Sequence, residues 1–394
     1  MAASRTIIVA GAGIGGLTAS LALTKVGYRV VILERQQKLE EAGAGLQLSP
    51  NATRVLIDLG LEQRLLPSII APEAVSVMTA RTAREVSRIP LGDDAAFRYG
   101  APYWLIRRTD LQAALLAAVL ENPDIDLRLG LQFEDVATYP KGVTVVARRD
   151  ITRHQETALA LIGADGVWSA VRHQLFPDDR PQFTGRIAWR GTIEAKQLPR
   201  EFNARRVQLW MGPNAHLVAY PLDGQRINMV AIVSGTWNRP GWNEPGEAAD
   251  IAQHYAAPQW PIAPRMMVGA VESWRKWALF ALPDGGVWTR DNIALIGDAA
   301  HAMLPFVAQG AGMAIEDAAT LAKCMKDATD IPKALARYEK MRAPRVGKVQ
   351  RTARQTGQIY HLRGAMAFAR DQTMRALGGE KLRARHDWIY DWRG

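Results

Sequence analysis

The first 35 residues constrain the fold most, because they join a buried strand, a glycine turn, a helix and a second strand that ends on an acid. Thr6–Ala10 reads as a short buried strand; Gly11-Ala12-Gly13-Ile14-Gly15-Gly16 follows, then an Ala- and Leu-rich helix to about Val26. Gly27 stops that helix, and Arg29–Leu33 forms the next strand, delivering Glu34 and Arg35 at its end. A G-x-G-x-x-G run carries little weight alone. Here it leaves a strand, opens a helix and meets an acidic residue about 20 positions later, the context of a dinucleotide-binding unit. Gly11 permits the tight turn, Gly13 lets backbone approach a pyrophosphate, and Gly16 allows the helix to pack close to the strand. Glu34 suits the adenosine ribose hydroxyls, and its charge would repel a 2′-phosphate, so this unit does not seat NADPH.

A second stretch repeats the theme near the C-terminal third. Ile293–Ile296 is a continuous apolar run, the mark of a strand buried on both faces. Gly297-Asp298 sets a carboxylate at its C-terminal end, where ligands of parallel sheets collect. After a loop containing Pro305, Gly310-Ala311-Gly312 opens a helix that runs on through Met313, Ala314 and Leu321. Small residues at a helix start let a ligand approach bare N–H groups. Two further junctions lie between. Ala158–Ile162 reads as a strand entering Gly163-Ala164-Asp165-Gly166-Val167-Trp168-Ser169, whose plainer reading is an Asp-Gly turn into a helix capped by Ser169. Arg107-Arg108-Thr109-Asp110 opens another helix, with Thr109 as N-cap for Leu111–Leu120. Positive charge at a helix start is unfavourable, which points to an anion nearby.

The runs GAGIGG, GADGVWSAVR and GDAAHAMLP…AQGAGMAIEDA resemble the FAD-binding motifs of the group A, single-component flavoprotein aromatic monooxygenases. The likeness spans nearly the whole chain, down to the terminal DWIYDWRG, and is nearest in kind to the salicylate and 3-hydroxybenzoate hydroxylases. It implies an α/β fold of the p-hydroxybenzoate hydroxylase type. A Rossmann-type FAD-binding domain, a parallel sheet with flanking helices, would comprise residues 1–73, 101–180 and 283–394 with the C-terminal helices; an inserted mixed-sheet substrate domain would comprise 74–100 and 181–282. The resemblance further implies that Asp298 holds the ribityl chain and that the helix start at Gly310 and Gly312, after Pro305, faces the pyrimidine edge of the isoalloxazine. Arg108, with Gln112 one turn on, contacts the diphosphate or ribityl side. Gln47, in the Gly-rich loop Ala42–Asn51 before a helix Asn51–Leu59, lies near the ring, where some relatives carry His. Arg35 joins Glu34 at the cofactor, and Asp165-Gly166 serves both FAD and NAD(P)H. No His or Cys sits in a recognised attachment context, so FAD is expected to be non-covalent. NAD(P)H reduces it, O2 adds at C4a, and the distal oxygen of that hydroperoxide passes to an activated ring.

From about Arg186 to Leu282 the chain changes character. Trp189, Trp210, Trp237, Trp242, Trp260, Trp274 and Trp277 crowd together, and alternating segments at Arg186–Glu194, Arg205–Trp210, Leu217–Pro221 and Arg226–Ser234 predict a mixed or antiparallel sheet. Ala74–Ile89 alternates as two strands and joins it in space. Within this region His216 and Tyr220 stand four residues apart, an even interval that puts both on one face of a strand. A buried His is often structural, but a Tyr on the same face makes the pair a candidate for accepting a phenol proton or anchoring a carboxylate. The resemblance supports this, since relatives acting on heteroaromatic substrates use His and Tyr at this spacing. One such relative has His where this chain has Phe306, which argues for a different substrate here.

Composition narrows the rest. No apolar window approaches the roughly 18 residues of a spanning helix. The opening MAASRTIIVAGAG runs straight into a strand without a signal-peptide pattern, and the one cysteine, Cys324, excludes a disulfide framework or C-x-x-C redox pair. A cytoplasmic monomer or homodimer is expected. The net charge of +10 is carried by the tail: from Lys333 onward there are 15 Lys and Arg against 5 Asp and Glu. Helices are expected at Pro332–Met341 and Arg345–His361, with Arg342, Arg345, Lys348, Arg351 and Arg354 forming a solvated stripe. Lacking aromatic interleaving or a nucleic-acid motif, that stripe does not indicate nucleic-acid binding. Two other functions fit the motifs: a flavoprotein oxidoreductase without oxygen insertion, and a non-catalytic flavin-binding regulator.

Overall fold

A computed structural model describes residues 5–39, 45–199, 202, 205–239 and 241–394. The glycine-rich start of the loop expected from Ala42 lies outside the described residues as far as residue 44. The apolar run Thr6–Ala10 pairs in parallel with Arg29–Glu34 on one side and Ala160–Gly163 on the other. Ile125–Leu129 extends the sheet beyond Arg29–Glu34, and Ile293–Leu295 pairs in parallel with Ala160–Gly163. Thr289–Arg290 adds a short antiparallel edge. Thr6–Ala10, Arg29–Glu34, Ala160–Gly163 and Ile293–Leu295 are largely aliphatic because helices and a three-stranded antiparallel sheet, Gln132–Tyr139, Gly142–Arg149 and Thr152–Ala158, cover the faces of the sheet. The parallel pairing has one functional consequence: Gly11, Glu34, Gly163 and Ile296 all leave the sheet at the same edge.

The second sheet has eight strands, in the order Asn243–Gly246, Trp274–Ala281, Gln182–Glu194, Arg226–Ser234, Ala215–Pro221, Arg206–Gly212, Ala74–Thr79, Arg84–Pro90. All its neighbours are antiparallel except Arg206–Gly212 beside Ala74–Thr79, which is how the early hairpin enters a sheet built mostly from later residues. Trp189, Trp210, Trp260 and Trp274 pack into one core against helices Ala248–His254 and Ile262–Gly269. Trp237, Trp242 and Trp277 are not among its buried members, and Trp242 is exposed. The tryptophan crowding therefore marks a core of four rings, not seven.

Three expectations need correction. Thr109 is not a cap: helix Arg108–Leu120 starts one residue before it, follows Arg107, and has no side-chain cap bond. The two helices expected near the C-terminus are one, Ile331–Tyr360, with Pro344 inside. An internal proline costs about 3 kcal/mol. Here Arg342 and Arg345, one turn of helix around that proline, are both fixed to the helix Gly310–Met325. Nor is the basic stripe solvated. Arg342 is 1 % exposed and donates from Nε to Asp317 at 2.7 Å and from Nη1 to Glu316. Arg345 meets both oxygens of Glu316 at 2.7 and 2.8 Å. Lys348 sits 3.9 Å over the Trp388 ring, and Arg354 grips Asp284 through both oxygens. Spacing of three drifts around a helix, so successive cations meet different neighbours. Trp388, Tyr390 and Trp392 pack the tail back onto the first core, as expected. No helix among the described residues is long and apolar enough to cross a membrane.

Candidate active site

At the common edge of the parallel sheet, Gly11 adopts φ +107° and a Cβ there would lie 2.5 Å from the Ala164 carbonyl oxygen. A Cβ at Gly16 would lie 2.0 Å from the Gly11 oxygen, so helix and turn touch backbone to backbone. Gly13 is different: nothing lies within 4 Å of its Cβ position, which leaves the helix N-terminus open to a phosphate-sized group. Glu34 is buried beneath this turn; Oε2 accepts from Ala12 N at 2.8 Å and Oε1 from Gln36 N at 2.9 Å. Each carboxylate oxygen retains accepting capacity after one bond. Arg35 is exposed beside it.

Asp298 is exposed at the end of Ile293–Leu295, opening the short helix Asp298–His301, and its carboxylate makes no hydrogen bond or ion pair with the described residues. The residue before it is tightly held. Gly297 donates its N–H to Asp317 Oδ2 at 2.9 Å, the same oxygen that meets His301 Nε2 at 2.5 Å. Burial opposes the Asp317 charge, yet His301, Arg342 and these hydrogen bonds outweigh it and hold its pKa at about 2. The helix Gly310–Met325 is fixed at its start by a buried amide relay. Gln309 donates to Ser49 Oγ at 2.8 Å, while Asn51 donates to Gln309 at 3.0 Å and to Glu316 at 2.6 Å. No atom lies within 4 Å of a Cβ at Gly310, whereas a Cβ at Gly312 would lie 2.9 Å from the Gln309 amide oxygen. Pro305 begins a short helical turn, Pro305–Val307, that leads into this start.

Asp165 makes the hydrogen bonds of the turn and cap described for it. Its carboxylate accepts from Ser169 Oγ at 2.5 Å and from the Ala170 and Val171 N–H groups at 2.7 and 3.2 Å, and Ser169 in turn caps Arg172 N at 2.8 Å. Burial raises its pKa despite these bonds. Gly166 has φ +81°. Arg172, which no sequence argument singled out, donates to the carbonyls of Val167 at 2.6 Å and Ala299 at 2.8 Å. It thereby ties the Asp165 turn to the Asp298 turn. Arg108 is half-buried at the start of its helix, and Gln112 is buried one turn on.

His216 and Tyr220 do share a face of Ala215–Pro221, and both are buried. That face meets two segments named by the flavin resemblance. A Cβ on Gly45 would lie 2.6 Å from Tyr220 Cε2, so Tyr220 presses against the strand Gly45–Leu48 that carries Gln47. Gln47 accepts from Tyr103 Oη at 2.9 Å. At the second segment Phe306, next to Pro305, packs its ring 5.2 Å from that of His216. A cavity of about 430 Å³ is lined by Phe306 together with Arg186, Leu304, Gln350 and Gly357. A larger hollow of about 730 Å³ lies at the far edge of the eight-stranded sheet, by Arg88, Arg205 and Gly379, remote from these motifs. His361 is the residue that sequence reasoning missed: its Nε2 lies 2.8 Å from His216 Nδ1. Burial, then His361 and Arg186, drive the His216 pKa well down; burial, Arg186 and Arg370 bring that of His361 to about 3. Burial raises that of Tyr220.

A parallel-sheet edge with an open phosphate turn and an unpartnered carboxylate, facing a second sheet across it, defines a dinucleotide-dependent enzyme of two apposed parts. The family model described as an FAD binding domain matches residues 4–353, and the chain belongs to that family, within the group A FAD-dependent aromatic monooxygenases. FAD is its cofactor and NAD(P)H its co-substrate. The 3-amino-4-hydroxybenzoate 2-monooxygenase of Streptomyces platensis is 36% identical over 388 residues, covering 98% of this chain and 95% of that one. The 3-hydroxybenzoate 6-hydroxylase of Klebsiella oxytoca is 32% identical over 395 residues, covering 100% and 98%. A solved salicylate hydroxylase substrate complex superimposes with a TM-score of 0.82 at 26% identity, covering 98% of this chain and 95% of that chain.

Proposed function

We propose that the enzyme hydroxylates a phenolic aromatic acid, a hydroxybenzoate or aminohydroxybenzoate, using NAD(P)H and O2. One observation supports this above the others: the His216–Tyr220 face abuts both the Gln47 strand and the Pro305–Phe306 turn, so an acid bound against it lies beside the flavin motifs. FAD supplies the hydride acceptance and oxygen activation that side chains cannot. The chain's own residues bind and orient. Gly11, Gly13 and Gly16 shape the turn for the pyrophosphate, and Glu34, with accepting capacity left after its two backbone bonds, takes the ribose hydroxyls. Arg35 and Arg108 offset phosphate charge. Asp298, whose carboxylate is not hydrogen-bonded to the described residues, holds the ribityl hydroxyls, and the N–H groups from Gly310 to Gly312 stabilise negative charge at the ring's pyrimidine edge. Gln47 contacts the ring. Asp165 and Gly166 act through the turn they shape. His216 and Tyr220 contact the acidic oxygens of the substrate. We take residues 1–73, 101–180 and 283–394 as the FAD-binding part and 74–100 and 181–282 as the substrate part, a reading supported by the separate six- and eight-stranded sheets, and the enzyme as a cytoplasmic monomer or homodimer with non-covalent FAD.

Accelerated oxidation of NADH or NADPH by hydroxybenzoates and aminohydroxybenzoates, followed by product mass, tests the reading. A product heavier by one oxygen is expected. Nicotinamide oxidation with every compound, but no oxygenated product, would overturn it in favour of an oxidoreductase without oxygen insertion.

A further inference from the structure

His361 ends the helix Ile331–Tyr360, 145 residues from His216, and its ring is packed, not frayed. Its carbonyl accepts from Asn214 N at 3.4 Å, in the turn just before His216. Arg370 caps the carbonyls of Ile359 and Tyr360 at 3.0 and 3.1 Å, and is itself fixed to Asp371, which also receives Thr79 Oγ1 at 2.9 Å. The charged and titratable groups facing the two imidazoles are Arg186, held by Ser234, and Arg370, together with Tyr360 and with Tyr255, whose hydroxyl donates to the His216 carbonyl at 2.7 Å. The charged ones are cations, and the Asp371 carboxylate is taken up by Arg370.

Two neutral imidazoles joined by one hydrogen bond have two proton arrangements. If His216 Nδ1–H donates, His361 must carry its own proton on Nδ1, and that atom is buried with no partner. A buried N–H without an acceptor, in the field of two guanidinium groups, is the costlier choice. If instead His361 Nε2–H donates, the unpartnered atom is a lone pair facing cations. The His216 proton then sits on Nε2, for which no described residue offers a hydrogen bond. We propose that His361 is a positioning residue that locks His216 in the Nε2–H form, so that His216 offers the substrate a hydrogen-bond donor for a phenolate or carboxylate oxygen rather than a base for a phenol proton. This rests on the reading above that His216 contacts the aromatic acid. The choice between tautomers belongs to the protein alone.

The test is nitrogen NMR on the FAD-loaded wild-type enzyme labelled with 15N-histidine, with signals assigned through His361→Gln and His216→Gln. His216 Nε2 is expected to be proton-bearing and Nδ1 bare; the reverse overturns the proposal whatever the substrate. Binding of 3-hydroxybenzoate supplies the second readout. His361→Ala should weaken it about tenfold, the equivalent of one hydrogen bond. His361→Gln, which can still donate, should recover most of the loss, while His361→Glu, which as a carboxylate only accepts, should not. Flavin reduction without the acid should stay unchanged in all three. Equal binding by the Gln and Glu variants would sink the positioning role. The expected tautomer with no affinity for any hydroxybenzoate would instead defeat the functional reading and leave the proton placement standing.

Discussion

Asp298 and Glu34 differ in a way that sets their variants apart. The Asp298 carboxylate makes no hydrogen bond or ion pair with the described residues, so Asp298→Ala should lose FAD on gel filtration while the unfolding free energy of the flavin-free protein stays within about 0.5 kcal/mol of wild type, as for surface changes. Glu34 accepts two backbone bonds inside the protein, so Glu34→Ala should lower both FAD retention and apoprotein stability, by about 1–3 kcal/mol for stranded donors. A Glu34 variant with an unaltered apoprotein melt would contradict that geometry. The histidine pair adds a pH dependence. Both imidazoles are neutral in the fold, His361 down to about pH 3, whereas unfolded histidine protonates near pH 6.5. The unfolded chain therefore binds more protons below that value. The pair's contribution is complete above pH 6.5 and is lost as pH falls toward 3, at up to about 1.4 kcal/mol per unit per group. Chemical denaturation from about pH 7 to 5 should reveal the slope, and the double variant His216→Gln, His361→Gln should flatten it.

Among the elements, Gly310–Met325 is the one on which others are hung. Its Glu316 and Asp317 are fully buried, and Arg342, Arg345, His301 and Asn51 reach them from three other segments. Removing one partner of a buried ion pair strands the other charges. Arg342→Ala should thus destabilise the fold by about 3–5 kcal/mol, where Arg351→Ala, on the exposed rim beside Asp284, should cost under about 1 kcal/mol. Urea midpoints for the two variants make the comparison, and similar losses would mean that the stripe acts only through its net charge. The same cluster explains how a helix containing Pro344 stays whole: its side-chain anchors, Arg342 and Arg345, flank the proline.

For the whole molecule, what counts is the seam where the small sheet that contains Gly45–Leu48 meets the eight-stranded one. Gly45 lies at that seam with Tyr220 and Leu222 at 2.6 and 2.5 Å from where a Cβ would stand, and its N–H donates to Asn228 at 2.8 Å. Gly45→Ala must push the sheet face away from the Gln47 strand. FAD content should hold, since the phosphate turn is elsewhere, but a displaced face should misplace the acid. Coupling of NAD(P)H oxidation to oxygenated product should fall, with hydrogen peroxide making up the difference. Unchanged coupling in this variant would show that the two parts need no fixed distance.

Much of this was legible in the chain because it rests on short-range rules. Strand runs, the Gly11–Gly16 turn, the acid after the second strand and the Gly297-Asp298 turn depend on residues within a few positions of one another, and backbone sterics and burial periodicity act at that range. The even spacing of His216 and Tyr220 sent both to one face for the same reason. Other features depend on the tertiary fold. Nothing in spacing connects His361 to His216, Arg172 to Ala299, or Arg342 to Glu316 and Asp317. Nor could it tell that the basic stripe would be buried at one end and exposed at the other. Such partners are chosen by which surfaces the packed helices and sheets bring together, and a side chain's charge or proton takes its meaning from that neighbour.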